Sequence, residues 1–148
     1  MNLEQFRELF NPLPGNHYLQ ICVEEDAISS MLKSLMESVD GEFNIALYNE
    51  ENLNFSQPFR AKPRDNDIVV IKDVFHKHEN KGMLLKLAYL TLANTANVII
   101  MEEKGLLNLE DTKSLLEEFE FRASNDIDIV EGYDLIMAKK MHMWGNGL

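Results

Sequence analysis

The chain is 148 residues long, with 45% apolar and 26% charged residues, which fits one globular domain and no disordered class. Twenty-five acidic against fourteen basic residues give a net charge of −11, which repels nucleic-acid phosphates and anionic membrane surfaces, so neither is an expected partner. One cysteine, Cys22, excludes an internal disulfide and suits a reducing compartment, and no apolar run approaches a membrane span; a cytoplasmic protein is expected.

In chain order, Asn2 is placed to cap a first helix, with Gln5 three residues on and Leu3, Phe6, Leu9 and Phe10 on one face. Pro12, Pro14 and Gly15 end it, so residues 1–16 form an N-terminal helix and linker. His17 to Val23 alternates and reads as a first strand. Glu24, Glu25 and Asp26 follow, Asp26 as N-cap of an amphipathic helix with Ile28, Met31, Leu32, Leu35 and Val39 on one face. Asp40 and Gly41 close that helix, and Phe43 to Tyr48 is a second strand that runs into Asn49 and Glu50. The polar stretch from Asn52 to Asn66 has room for a short edge strand at Leu53 to Ser56.

Asp67 to Lys72 and Asn97 to Glu102 are short β-branched runs suited to strands buried on both faces, with a helix from Lys81 to Thr95 between them. Such a connection implies a right-handed crossover between parallel neighbours. Ligands of such sheets bind beyond the carboxyl ends of the strands, here Lys72 to His78 and Glu102 to Gly105. The helix carries apolar residues at 83, 84, 85, 87, 88, 90 and 92, more than one face needs. It is either buried on two sides or meets another chain, and a homodimer is the expected assembly. Asn108 caps a further helix over Leu109, Thr112, Leu115, Leu116 and Phe119. Phe121 to Val130 and Tyr133 to Lys140, separated by Glu131 and Gly132, read as an antiparallel hairpin. Residues 141–148 read as a fraying tail. The architecture expected for 1–148 is one domain, a three-layer α/β/α sandwich whose mostly parallel sheet ends in an antiparallel hairpin.

Several candidate groups carry competing readings. Asp73 follows a strand, either as a helix cap or as a functional carboxylate. With His76 and His78 it spells D-x-x-H-x-H, but positions 76 and 78 of a helix point apart and no second cluster completes a ligand set, so no metal is expected. His76 is a candidate general base, against a polar residue at a strand-helix junction. Cys22 reads as a small core hydrophobe, and Met137, Met141, Met143 and Trp144 as packing.

The segments DNDIVVIKDVFHKH, GMLLKLAYLTLANTANVIIMEEKG and LLEEFEFRASNDIDIVEGYDLIMAKK together resemble the class I S-adenosylmethionine-dependent methyltransferases, from the fourth strand to the closing hairpin. The likeness spans Tyr18 to Lys140, with Asn94 to Ala96 where that family usually has a proline-glycine-glycine turn. It implies a Rossmann-like fold, S-adenosylmethionine as cofactor, an acidic ribose contact at Asn49 or Glu50, the methionyl group near Glu24, Glu25, Asp26 and Ala27, and catalytic groups at Asp73 and His76. The family's glycine-rich loop after the first strand reads Cys22, Val23, Glu24, Glu25, Asp26, Ala27 here, with no glycine. Side chains there take the space into which backbone amides would admit the methionyl group. The reading that follows is a methyltransferase-like protein without ordinary cofactor binding, serving as a binding or assembly module for a small molecule or a protein. The alternative is a methyltransferase acting on a small molecule.

Overall fold

A computed structural model describes residues 2–48 and 62–141. The elements, in chain order, are α1 (Glu4–Arg7), β1 (His17–Cys22), α2 (Ala27–Ser38), β2 (Glu42–Leu47), β3 (Asn66–Lys72), α3 (Lys81–Thr91), β4 (Leu92–Glu103), α4 (Leu109–Glu118), β5 (Phe121–Ile127) and β6 (Tyr133–Lys140). The six strands form one sheet in the order β2-β1-β3-β4-β6-β5. β2, β1, β3 and β4 are mutually parallel, and β6 runs antiparallel between β4 and β5. The expected α/β sandwich with a terminal hairpin is therefore the observed one. The edge strand expected at Leu53 to Ser56, the ribose contacts Asn49 and Glu50, and all but the first residue of the expected tail lie outside the described residues.

Strand alternation builds two cores. Ile68, Val70, Ile99 and Met101 face α2 and the N-terminal segment, where Phe6, Phe10, Tyr18, Ile28 and Leu32 complete the packing. Val69, Ile71, Val98 and Ile100 face the other way, onto Leu84, Leu85 and Ala88 of α3 and Leu116 of α4. The ends of β3 and β4 inherit this alternation: residue 72 belongs to the α2 face, residue 102 to the α3–α4 face.

Three boundaries differ from expectation. The first helix is one turn long and its N-cap is Leu3, which gives no side-chain bond; Asn2 Oδ1 instead accepts from the Glu4 N–H at 2.9 Å. The helix expected to Thr95 stops at Thr91, and β4 starts five residues before Asn97. Here a buried lysine from the far end of the chain ends the helix: Lys140 Nζ donates to the carbonyls of Tyr89 (2.8 Å) and Leu92 (2.7 Å) and stacks over the Tyr89 ring. Leu92 then pairs with Asn66, whose side chain donates to Thr91 Oγ1. Finally, β5 ends at Ile127 rather than Val130, because Val130 turns into the core and accepts a turn bond from the Tyr133 N–H.

The apolar excess on α3 is resolved in part. Leu84, Leu85 and Ala88 are buried, whereas Met83 and Leu90 are 41% and 49% exposed. Gly41 is needed for close approach at the α2–β2 turn, since a Cβ there would stand 2.5 Å from the Asn16 carbonyl oxygen.

Candidate functional site

The carboxyl ends of β1 and β3 and the start of β6 surround a crevice of about 430 Å³, lined among others by Cys22, Glu24, Asp26, Lys72, Asp73 and Tyr133. Its centre is Lys72. As the last residue of an apolar strand on the α2 face, its ammonium reaches across to the helix start, 2.8 Å from Asp26 Oδ2 and 2.7 Å from Asp73 Oδ2, and lies 4.9 Å from the Tyr133 ring centroid. Its side chain is only 7% exposed. Burial opposes the charge, yet bonds to Asp26, Asp73 and Tyr133 hold the Lys72 ammonium well above the ordinary lysine range.

Asp26 does two jobs. Oδ1 caps α2 by accepting from the Ser29 N–H at 3.1 Å, with the Ser29 hydroxyl accepting from the Asp26 N–H in return, while Oδ2 holds Lys72. Burial pushes this carboxyl up, but the Lys72 and Ser29 bonds outweigh it and hold Asp26 below the usual carboxylate range. Gln20, fully buried beneath, directs Nε2 at Asp26 Oδ1, 3.4 Å away. Asp73 has φ 61, a left-handed conformation that costs a non-glycine residue energy, and its N–H donates to the Met101 carbonyl. That fold-back turns its carboxylate onto Lys72, so it caps no helix.

A second pair lies on the other face of the sheet. Glu102 is completely buried, and both its oxygens face His76: Oε1 pairs with Nδ1 of the ring, and Oε2 accepts the His76 backbone N–H at 3.3 Å. Burial pushes the Glu102 carboxyl up, although the nearby imidazole pulls it back. In Glu102→Gln the amide oxygen can accept the His76 backbone N–H while the NH2 donates to Nδ1, so both contacts survive with the imidazole proton on Nε2, and a buried charge is removed. The raised carboxyl favours folding below its unfolded value of 4.5 and loses that contribution as pH rises through its folded value. Glu102→Gln should therefore be more stable than the natural chain at pH 7. The gain should vanish below about pH 4.5. Urea unfolding across pH 4 to 8 checks this, and a variant less stable throughout would contradict it.

The residues expected from the sequence divide sharply. Asp26 and Asp73 meet at Lys72, and Glu24 lines the crevice, whereas Glu25 is exposed beside it. His76 stands on the rim, and His78 turns inward, its Nδ1 accepting from the Asn80 N–H at 2.9 Å. Asp73, His76 and His78 thus do not converge on one point, and no group of three or more metal-type side chains occurs among the described residues. Burial pushes the Cys22 thiol up to about 12, so it is no nucleophile at neutral pH. Lys72 and Glu102 open the two strand-end segments where ligands are expected, though no role is expected of either, and Tyr133 lies outside both. For the first two, a charge ending a run of β-branched residues was the available signal.

No family model and no curated protein matches the sequence. Solved structures match over nearly the whole chain. A methyltransferase from Aquifex aeolicus dependent on S-adenosylmethionine (SAM) aligns with a TM-score of 0.69 at 13% identity, over 93% of this chain and 89% of its own. One from Archaeoglobus fulgidus aligns at 0.65 and 17% identity, over 93% and 91%. The phosphoethanolamine N-methyltransferase 2 of Haemonchus contortus, in complex with S-adenosyl-L-methionine, aligns at 0.68 and 11% identity over 93% of this chain, which spans only 51% of that larger chain. At these identities the likeness concerns the fold: this chain has the fold of the class I S-adenosylmethionine-dependent methyltransferases, shortened to six strands among its described residues.

Proposed function

We propose that this chain is a methyltransferase-like binding module that does not hold S-adenosylmethionine in the family's manner. One observation carries the reading. In place of a small, glycine-rich turn open to the methionyl group, the end of β1 presents Asp26 bound to the buried Lys72, with Asp73 closing the other side. A cofactor entering there has to break a half-buried ion pair or pass around it, and its own carboxylate meets Glu24, Asp26 and Asp73. Thermal shift with S-adenosylmethionine or S-adenosylhomocysteine tests this. A ligand at a hundred times its dissociation constant stabilises a fold by about 2.7 kcal/mol. For a domain of this size that is a shift of roughly 5 to 10 °C, and the expected shift is none.

The His76–Glu102 pair favours a second reading, a methyltransferase acting on a small molecule. An imidazole oriented by a buried carboxylate is suited to accept an acceptor's proton. That reading requires the cofactor, so the same titration separates the two.

A homodimer is part of the proposal, supported by Met83 and Leu90 exposed on α3. Light scattering should give twice the chain mass, and a monomer at high concentration would count against it. A cytoplasmic location is proposed from the single buried cysteine; no helix among the described residues is long and apolar enough to cross a membrane.

A further inference from the structure

Beside the Lys72 crevice, but on the α3–α4 face of the sheet, a second cavity of about 320 Å³ opens between the first turns of α3 and α4. Phe75, Leu107 and Leu115 make its walls and Leu106 its lip, while Lys81 and Asp111 stand at the rim. His76 lines both cavities. Its Nδ1 is committed to Glu102, and its Nε2 bonds to no described residue. The other Glu102 oxygen accepts the His76 backbone N–H, so the carboxyl group holds the turn and the ring together. In the neutral tautomer that donates Nδ1–H to Glu102, Nε2 presents a lone pair to a ligand.

The charges around the cavity select the ligand. Buried Glu102 and rim Asp111 repel an anion, and the Lys81 ammonium is occupied by the carbonyls of His76 and His78, at 3.4 and 3.1 Å. A cation is drawn by Asp111 but must leave water against the Phe75, Leu107 and Leu115 walls, which costs more than for a neutral molecule. A neutral donor meets neither penalty. Apolar cavities of roughly 150 Å³ already accept benzene, so one ring fits here with room to spare.

We propose that this cavity binds a small neutral molecule with a ring-sized apolar body and one hydroxyl group, whose O–H donates to Nε2 of His76. The proposal deepens the binding-module reading and rests on it, naming the class of ligand that the module would take. The bond is a hydrogen bond, and no group is transferred.

The test is a titration without cofactor, using p-cresol as probe and p-xylene as the same shape without the hydroxyl, followed by NMR of the imidazole and leucine methyl signals. Saturable p-cresol shifts at His76, Leu107 and Leu115 are expected, with p-xylene about tenfold weaker, the worth of one hydrogen bond. In His76→Ala the two probes should bind alike; Leu115→Trp, which fills the cavity and leaves His76 in place, should remove both. Equal affinity for the two probes on the natural chain, or no saturable shift, would overturn the proposal. Such a failure leaves the thermal-shift result standing. Conversely, cofactor binding alongside intact p-cresol binding would overturn the module reading alone.

Discussion

Replacing Lys72 with methionine should destabilise the fold by about 3 kcal/mol at pH 7. Methionine fills the same volume, so the cost is electrostatic: Asp26 and Asp73 are left facing each other with their shared cation gone. Removing one partner of a buried pair costs about 3 to 5 kcal/mol. The lower end applies because the two carboxylates keep side-chain exposures of 25% and 31% and can turn to water. The pH dependence supplies a second check. Asp26 is held below its ordinary value, so the stability it contributes is present above the unfolded value of 3.8 and is lost as pH falls through the folded value. The penalty of Lys72→Met should accordingly hold from neutral pH down to about 4 and shrink below that. Urea unfolding of both chains at several pH values measures it. A penalty under 1 kcal/mol, or one that grows in acid, would mean that Lys72 does not hold the crevice together.

Phe75→Ala should cost a similar amount, about 3 kcal/mol, for a different reason. Phe75 is buried at the turn that follows β3 and packs in the core with Leu84, Leu85 and Leu107. Truncating a buried phenylalanine costs about 3 to 5 kcal/mol through lost burial and the cavity left behind. The low end fits, because the side chain borders the 320 Å³ cavity and water can enter the space. Phe75→Leu, which keeps most of the volume, should cost under about 1.5 kcal/mol. Since Phe75 anchors the turn that carries His76, the alanine variant should also loosen the imidazole from Glu102, visible as a changed His76 resonance. Equal stability of the alanine and leucine variants would show that the turn is held by its backbone bonds instead.

The sequence made the sheet legible wherever a strand is buried on both sides. Ile68 to Ile71 and Val98 to Met101 are uninterrupted apolar runs because helices cover both faces. Two helix starts were legible from local capping, with Asp26 and Asn108 accepting the backbone N–H groups expected of them, whereas Asn2 is not the cap of the first helix. The end of α3 was not legible. Its last turn is held by Lys140, 51 residues from Tyr89, and by Asn66 on a neighbouring strand, and no local pattern announces such partners. The site was half legible. Asp26, Asp73 and His76 were visible as polar residues at strand ends. Which of them meet depended on sheet order, which sets Lys72 against Asp26 on one face and Glu102 against His76, 26 residues away in the chain, on the other. Lys72 read as the end of a strand, and only the fold turns it into the cation at the centre of the crevice.

Isothermal titration calorimetry with S-adenosylmethionine tests the central claim most directly. If the Lys72–Asp26 pair occupies the place of the methionyl group, the natural chain should bind more weakly than about 1 mM, with no saturable heat, and Glu50→Ala should behave identically. A micromolar dissociation constant that is lost in Glu50→Ala would contradict the account and restore a cofactor-dependent methyltransferase.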